Sequence, residues 1–149
     1  MISRYYCVFV ALVLVGLLPL HTITAEETLA YLDPAGIKGT LVIAGGGELP
    51  AEVMERFVKL AGGEKALLVL IPTASEQADK QLARDEEKAK LLEPWAKLGI
   101  EHIHVLHTRS REKANSAEFV APLRHATAVW FEGGQQSRLA DAYLGTEVE

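Results

Sequence analysis

The stretch that decides the fold is Ala126-Thr-Ala-Val-Trp-Phe131, followed directly by Glu132-Gly-Gly-Gln-Gln136. The first run is mostly apolar, the paired glycines favour a tight turn, and the polar residues from Gln136 to Leu144 suit a helix. A strand, a turn and a helix in this order are typical of open α/β sheets, which bind ligands at the carboxyl ends of their strands. The backbone N–H groups of Gly133 and Gly134 are therefore candidates to hold an oxyanion or a carboxylate.

The same alternation of strands and helices extends upstream through the chain. Apolar runs predict three further buried strands, at Thr40–Ala44, Ala66–Ile71 and Ile100–Leu106. The segments between them predict helices. Pro50 and Gly62-Gly63 mark the start and the end of the first helix, and Pro94 predicts a break or a kink in the second. A capping box of Asn115 and Glu118 and a cap at Ser137 predict the starts of the last two helices. We therefore predict an α/β fold with a doubly wound, mostly parallel open sheet. Ala126–Phe131 is expected to be a central strand of the complete fold, with its next neighbour supplied by residues beyond Glu149.

The carboxyl ends of the predicted strands should meet in one crevice. Because parallel strands end at the same edge of a sheet, the loops expected to converge there are Gly45–Glu48, Pro72–Ser75, His107–Arg109 and Gly133–Gln136.

The N-terminus has the pattern of a secretory signal peptide. Arg4 supplies a positive charge, Cys7–Leu20 is almost wholly apolar, and a short polar exit ends at Ala25. We expect residues 1–25 to direct export and to be cleaved, so that the chain touches a membrane only transiently; an uncleaved membrane anchor is the alternative. Residues 26–38 are expected to form a leader loop before a domain at 39–149.

Composition excludes several classes of function. Of the fifteen basic residues only Arg4 lies in the signal, so fourteen face twenty acidic ones in the mature chain, and this balance argues against nucleic-acid binding. The single cysteine, Cys7, also lies in the signal, so a disulfide, a thiolate nucleophile and a cysteine-based metal site are excluded. We expect neither a metal nor a cofactor.

Other candidate sites have simpler interpretations. His102 and His104 share one face of their strand while His107 falls on the other, so an exposed strand face is favoured over a metal site. Ser75 and Ser137 lie outside any Gly-x-Ser-x-Gly turn, and the sequence places no histidine to activate them. The glycines at 45–47 lack the third glycine of a dinucleotide fingerprint, which favours a plain strand–helix turn.

Four motifs together resemble the cyanophycinase-like serine peptidases. They cover most of residues 39–146: Ala-Gly-Gly-Gly-Glu-Leu-Pro from Ala44, Ile-Pro-Thr-Ala-Ser from Ile71, His-Thr-Arg from His107, and the segment Phe131–Leu139. Gln135 stands where this family usually shows an aspartate. The resemblance implies a class I glutamine amidotransferase-like, Rossmann-like fold, and hydrolysis of peptide or isopeptide bonds in acidic substrates by a serine nucleophile and a histidine base.

The resemblance also implies roles for individual residues. Gly133 or Gly134 would offer an N–H to the oxyanion, and the substrate would be lined by Gln136, Gln135, Gly46, Gly47, Thr73, Ser75 and Arg109. In this family a nucleophile turn follows on the next strand, so we expect this chain to be an N-terminal part that is inactive alone. A non-catalytic ligand-binding module and an inactive truncation product are the alternatives, and homo-oligomerisation through an unpaired strand edge is left open.

Overall fold

A computed structural model of the protein describes residues 39–45 and 47–149. The predictions for the signal peptide, for the leader loop and for Gly46 lie outside the described residues.

Three parallel strands form the sheet in this part of the chain. They are β1 (Leu67–Ile71), β2 (His102–Val105) and β3 (Ala128–Phe131), in the order β2-β1-β3. Leu68 of β1 lies opposite Ile103 on one side and Ala128 on the other. The predicted α/β fold with a parallel open sheet is confirmed, and β1, the most apolar of the three, is its central strand.

The predicted strand at Thr40–Ala44 is wrong for this structure. The segment has no regular secondary structure, and Leu41 and Ile43 are 81% and 83% exposed. An apolar run becomes a strand only where its backbone pairs with a neighbouring strand, and this segment lines a cleft beside β3 without joining the sheet. The Gly45–Glu48 loop therefore does not follow a strand of the sheet.

Six α-helices connect or follow these strands in the described residues. Their bounds are α1 (Ala51–Ala61), α2 (Ala78–Leu82), α3 (Asp85–Lys97), α4 (Arg111–Ala114), α5 (Ala117–Val120) and α6 (Gln136–Tyr143), with 3₁₀ turns at Gly63–Lys65 and Ala121–Arg124. As predicted, α1 follows Pro50 and ends at Gly62, whose φ of 111° is left-handed. No helix in the described ranges combines the length and the apolarity needed to cross a bilayer.

Three predicted helix boundaries are wrong. Helix α3 continues through Pro94, and the interruption falls instead at Ala83 and Arg84, between α2 and α3. Ser116 rather than Asn115 caps α5, because its side chain accepts a hydrogen bond from the Phe119 N–H. Helix α6 begins after Gln135 without a side-chain cap, so Ser137 lies within its first turn.

Helices cover both faces of the sheet, which makes the fold doubly wound. Leu68 and Leu70 of β1 pack on one face with Trp95 of α3 and with residues of α1. Val69 and Ile71 pack on the other face with residues of α4 and α6. Side chains of β1 therefore alternate between the two faces, and β1 is buried at the centre of the sheet. The loops that follow the parallel strands lie at one edge of this sheet.

Candidate functional site

Three strand-end loops meet at the carboxyl edge of the sheet, as predicted. The centre of this meeting is the turn Pro72–Ser75, called the β1 turn below. The guanidinium group of Arg109 donates to the carbonyl of Thr73 at 2.6 Å and to that of Ser75 at 2.9 Å. The carbonyl between them, on Ala74, accepts from the backbone N–H of Gln135 at 3.0 Å and from Arg138 at 3.1 Å. Three consecutive carbonyl groups are thus held by the loops after β2 and β3.

The segment Glu132–Gln135, called the glycine turn below, lies directly against the β1 turn. Gly134 has a φ of +148°, and a β-carbon there would overlap the carbonyl of Ala74 and come within 2.8 Å of the Ser75 nitrogen. A β-carbon on Gly133 would meet nothing within 4 Å. Only glycine fits at 134, because the backbone of one turn touches that of the other.

The glycine turn also presents N–H groups that are free to bind a ligand. Among the described residues, no acceptor contacts the N–H of Gly133 or of Gly134, and both residues are exposed. Adjacent backbone N–H groups at a turn attract anions and developing negative charge. Binding of an oxyanion by these two residues stays a prediction.

A chain of hydrogen bonds lies beneath the two turns. The hydroxyl of Thr73 contacts His107 Nδ1 at 2.8 Å and the hydroxyl of Tyr143 at 2.7 Å. On the other side of the imidazole, His107 Nε2 lies 3.0 Å from a carboxylate oxygen of Asp79. The Tyr143 oxygen in turn accepts from the N–H of Thr108 at 3.3 Å.

One arrangement of protons satisfies every group in this chain. His107 donates from Nε2 to Asp79, Thr73 donates to His107 Nδ1, and Tyr143 donates to Thr73. Burial makes an unpaired hydroxyl costly, so full pairing of these groups stabilises the site.

The series Thr73–His107–Asp79 has the residue types of a catalytic triad but is closed to substrate. Thr73 is 0% exposed, and both hydrogen-bonding directions of its hydroxyl are occupied. A nucleophile must reach the scissile carbonyl, so this hydroxyl holds the fold together and does not attack. Ser75, the nearby exposed candidate, accepts a hydrogen bond from the Gln77 N–H.

Two titratable groups in this series of hydrogen bonds have shifted pKa values. The hydrogen bond from His107 holds the pKa of the Asp79 carboxyl below its ordinary value, and a hydrogen bond from Arg109 acts in the same direction. Burial raises the pKa of the Tyr143 phenol, so Tyr143 remains a hydrogen-bond donor well into the alkaline range.

Glu132 directly precedes the two glycines, and its carboxyl group has a hydrogen bond with the Trp130 side chain. Burial raises its pKa above the ordinary value. It lines a cleft of about 610 Å³ together with Trp130, Gly133, Gly45 and Gly47. This cleft is where the Gly45–Glu48 loop approaches the glycine turn.

The residues expected to contact a substrate are only partly brought together. Thr73, Ser75, Arg109, Gly134 and Gln135 meet around the β1 turn. Gly47 lies across the cleft from Gly133, and Gln136 is exposed as the first residue of α6. Substrate contact by any of them stays a prediction. Of the histidines, His102 and His104 are exposed as predicted, and the described residues contain no group of three that could hold a metal.

Sequence reasoning missed Asp79, Tyr143, Arg138 and Glu132. The first three lie on helices, and nothing in helical spacing shows that their side chains reach a strand-end loop. Glu132 could have been identified as a site residue, because it lies between a predicted strand and the paired glycines.

Comparison with known proteins supports the resemblance seen in the motifs. No family model matches the chain. A cyanophycinase of Nostoc sp. is 27% identical over 125 residues, which cover 82% of this chain and 40% of that protein. A cyanophycinase of Synechococcus elongatus is 27% identical over 137 residues, which cover 83% of this chain and 40% of that protein. The resemblance to cyanophycinases is confirmed. The chain spans about 40% of the length of these cyanophycinases.

Proposed function

We propose that this chain is the N-terminal part of an exported, cyanophycinase-like serine peptidase that hydrolyses peptide or isopeptide bonds in acidic substrates. Similarity to cyanophycinases over 82% of the chain supports the reaction class. The observation that carries the proposal is the glycine turn, where the N–H groups of Gly133 and Gly134 have no acceptor in the part of the chain that the structure describes. They lie at the edge of the sheet where α/β enzymes bind their ligands.

The proposed role of Gly133 and Gly134 is to stabilise the oxyanion that forms when a peptide carbonyl is attacked. Backbone N–H groups held before the reaction begins cost no reorganisation in the transition state. Gln135, Gln136 and the β1 turn would line the substrate. The serine nucleophile and its histidine base would come from residues that follow Glu149.

Substitution of Gly133 by proline tests the oxyanion role. Proline removes one N–H, and loss of a single oxyanion donor lowers kcat by roughly 100- to 1000-fold in acyl-transfer enzymes. The assay is hydrolysis of cyanophycin-like polymer by the chain extended through both its nucleophile and its histidine base. Gly133→Ala is the matched control, because it keeps the N–H and its β-carbon meets nothing within 4 Å. Equal kcat values for the two variants would remove Gly133 from the proposal.

The chain as it stands is expected to hydrolyse neither cyanophycin-like polymer nor acidic dipeptides. The hydroxyl that contacts an imidazole belongs to the buried Thr73, and it cannot reach a substrate. Turnover above background that disappears in Ser75→Ala or Ser137→Ala would contradict this expectation.

Export is a separate part of the proposal. N-terminal sequencing of the secreted or periplasmic product should find a start at or near Glu26, because the preceding residues have the length and flanks of a signal peptide. Recovery of the intact chain from Met1 in the membrane fraction would argue for an uncleaved anchor.

A non-catalytic ligand-binding module is the second candidate. The Thr73 hydroxyl is buried and cannot act on a substrate, whereas the glycine turn and the open cleft could still bind a ligand. This combination favours the second candidate. The coding sequence just past Glu149 discriminates between the two. A Gly-x-Ser-x-Gly turn within about one strand and turn, the usual spacing of an α/β unit, decides for the peptidase.

A further inference from the structure

We propose that Arg109 is a positioning residue: it holds the β1 turn in the shape against which the glycine turn packs, and so directs the N–H groups of Gly133 and Gly134. The catalytic use of those groups rests on the proposed function, whereas the geometry does not. Arg109 then acts through the backbone and not by binding substrate.

All three nitrogens of the Arg109 side chain have acceptors within the protein. Nε donates to Asp79 Oδ2 at 3.1 Å, and the two terminal nitrogens donate to the carbonyls of Thr73 and Ser75. Asp79 is itself held by His107 at 3.0 Å, so the guanidinium plane is anchored from the side opposite the turn. A planar fork with a fixed charge suits this bridging role.

The two carbonyls held by Arg109 flank the peptide on which the glycine turn rests. The carbonyl of Ala74 lies between them and accepts from the Gln135 N–H at 3.0 Å. Gly134 packs so closely over the same carbonyl that no side chain fits there. Any rotation of the Ala74 peptide must therefore move Gly134 and Gln135 with it.

Substitution of Arg109 by lysine isolates this effect. The ammonium group of lysine keeps the charge, but its three donors radiate from one atom and cannot match acceptors that are placed around a planar guanidinium fork. The β1 turn should loosen, and the Gln135 N–H should exchange with solvent at least about tenfold faster, since its acceptor is no longer fixed. Hydrogen exchange of the complete chain, read by mass spectrometry on fragments that contain residues 132–136, measures this even if the chain self-associates.

Arg111→Lys is the matched control. Arg111 also donates to two carbonyls, those of Asp141 at 3.2 Å and Leu144 at 2.6 Å, but these lie at the far end of α6. This variant should leave exchange at 132–136 unchanged. Asp79→Asn should loosen the same fragments to a smaller extent, because the guanidinium loses its anchor but keeps both carbonyls.

Two results would overturn the proposal. The first is exchange at 132–136 that rises no more in Arg109→Lys than in Arg111→Lys. The second is an equal rise in the fragments that contain β1, which would show that Arg109 supports the whole sheet. If Arg109→Lys does not fold, Asp79→Asn decides alone by the same two criteria.

A kinetic measurement in the extended, hydrolysing form separates positioning from substrate binding. Misdirected N–H groups should lower kcat at least about tenfold in Arg109→Lys with KM within about twofold, since they act on the transition state. A raised KM with unchanged kcat would assign Arg109 to the substrate instead. Absence of hydrolysis in the unsubstituted protein would contradict the proposed function. Hydrogen exchange would still test the positioning role of Arg109 independently.

Discussion

At the glycine turn, two adjacent residues of the same type meet different physical demands. Gly134 combines a φ of +148° with direct contact to the Ala74 carbonyl, whereas Gly133 has open space around its α-carbon. Position 134 needs glycine both for its backbone conformation and for its close approach to the β1 turn. Position 133 has room for a side chain, and its proposed role needs only the backbone N–H.

Alanine substitutions should therefore separate the two glycines. Gly134→Ala should lower the free energy of unfolding by about 1–3 kcal/mol, the usual cost of a strained backbone, with the steric overlap adding to it. Gly133→Ala should change it by less than about 0.5 kcal/mol. Urea unfolding followed by circular dichroism measures both values. Equal destabilisation of the two variants would show that the close packing of the turns does not exist.

The hydroxyl of Tyr143 is predicted to stabilise the turns from below. Tyr143→Phe leaves the Thr108 N–H without its acceptor and Thr73 without a donor. Loss of one partner of a buried group costs about 1–3 kcal/mol, and this should appear as a lower midpoint in urea. A variant as stable as the unsubstituted chain would show that water replaces the hydroxyl.

Glu132 should make stability depend on pH in a defined direction. Because burial raises its pKa in the folded state, the folded carboxyl keeps its proton at pH values where the unfolded one has lost it. This contribution is fully present below the ordinary pKa of 4.5 and is lost as pH rises through the raised value. Glu132→Gln should therefore stabilise the protein at neutral pH more than in acid.

Asp79 has the opposite sign and provides the comparison for Glu132. Its lowered pKa gives stability that is present above the ordinary value of 3.8 and is lost as pH falls through the lowered value. Asp79→Asn should accordingly reduce the loss of stability in strong acid. Thermal unfolding across this pH range tests both variants, and identical pH profiles for the two would contradict the assignment.

At the scale of the elements, three aromatic rings join α1, α3 and β3. The ring of Trp95 lies 5.7 Å from that of Phe57 and 5.0 Å from that of Trp130, and both pairs pack edge to face. Trp95 is only 2% exposed. Helix α3 is thereby held to the sheet by one large side chain.

Removal of this ring should be among the most damaging core substitutions. Trp95→Ala should cost about 3–5 kcal/mol, the range found when a buried aromatic side chain is truncated. Trp95→Phe should cost less, because a smaller ring still fills part of the space. Chemical unfolding measures both, and a cost below about 1 kcal/mol for alanine would show that α3 packs through other residues.

At the scale of the molecule, the sheet has an open edge at β3. In the described residues β3 pairs only with β1, and Phe131 at its end is 54% exposed. The exposed Leu41 and Ile43 lie in the segment that lines the cleft beside this edge. Unpaired N–H and C=O groups next to apolar side chains promote association between chains.

The chain from Glu26 to Glu149 is therefore expected to be oligomeric or poorly soluble. Extension through the next strand should rescue it by pairing the edge of β3. Phe131→Lys should reduce self-association in sedimentation velocity, because a charge at a strand edge opposes pairing. Leu144→Lys is the control, since Leu144 is similarly exposed, at 59%, but lies beyond α6. A stable monomer with a cooperative thermal transition would revive the binding-module alternative.

The elements themselves followed from local patterns in the sequence. Apolar runs located β1, β2 and β3, helical spacing located α1 and α3, and the glycines at 133 and 134 marked the turn at the candidate site. The boundaries predicted from Pro94 and Asn115 were wrong. Tertiary packing decides whether a helix tolerates a proline in its last turn and which of two neighbouring residues caps a helix, and a short stretch of sequence does not contain this information.

The sequence by itself determined the strand–helix alternation, the parallel sheet and the edge at which the strand-end loops meet, because continuous apolar runs separated by helical segments are typical of buried parallel strands. Only the tertiary structure decided that His107 pairs with Thr73, that Arg109 turns inward to the β1 turn, and that the run at Thr40–Ala44 stays outside the sheet. The first two depend on contacts between residues 34 and 36 positions apart, and the third depends on which backbone segments pair with each other. Local sequence pattern carries no information about either, since both are settled only when the elements pack.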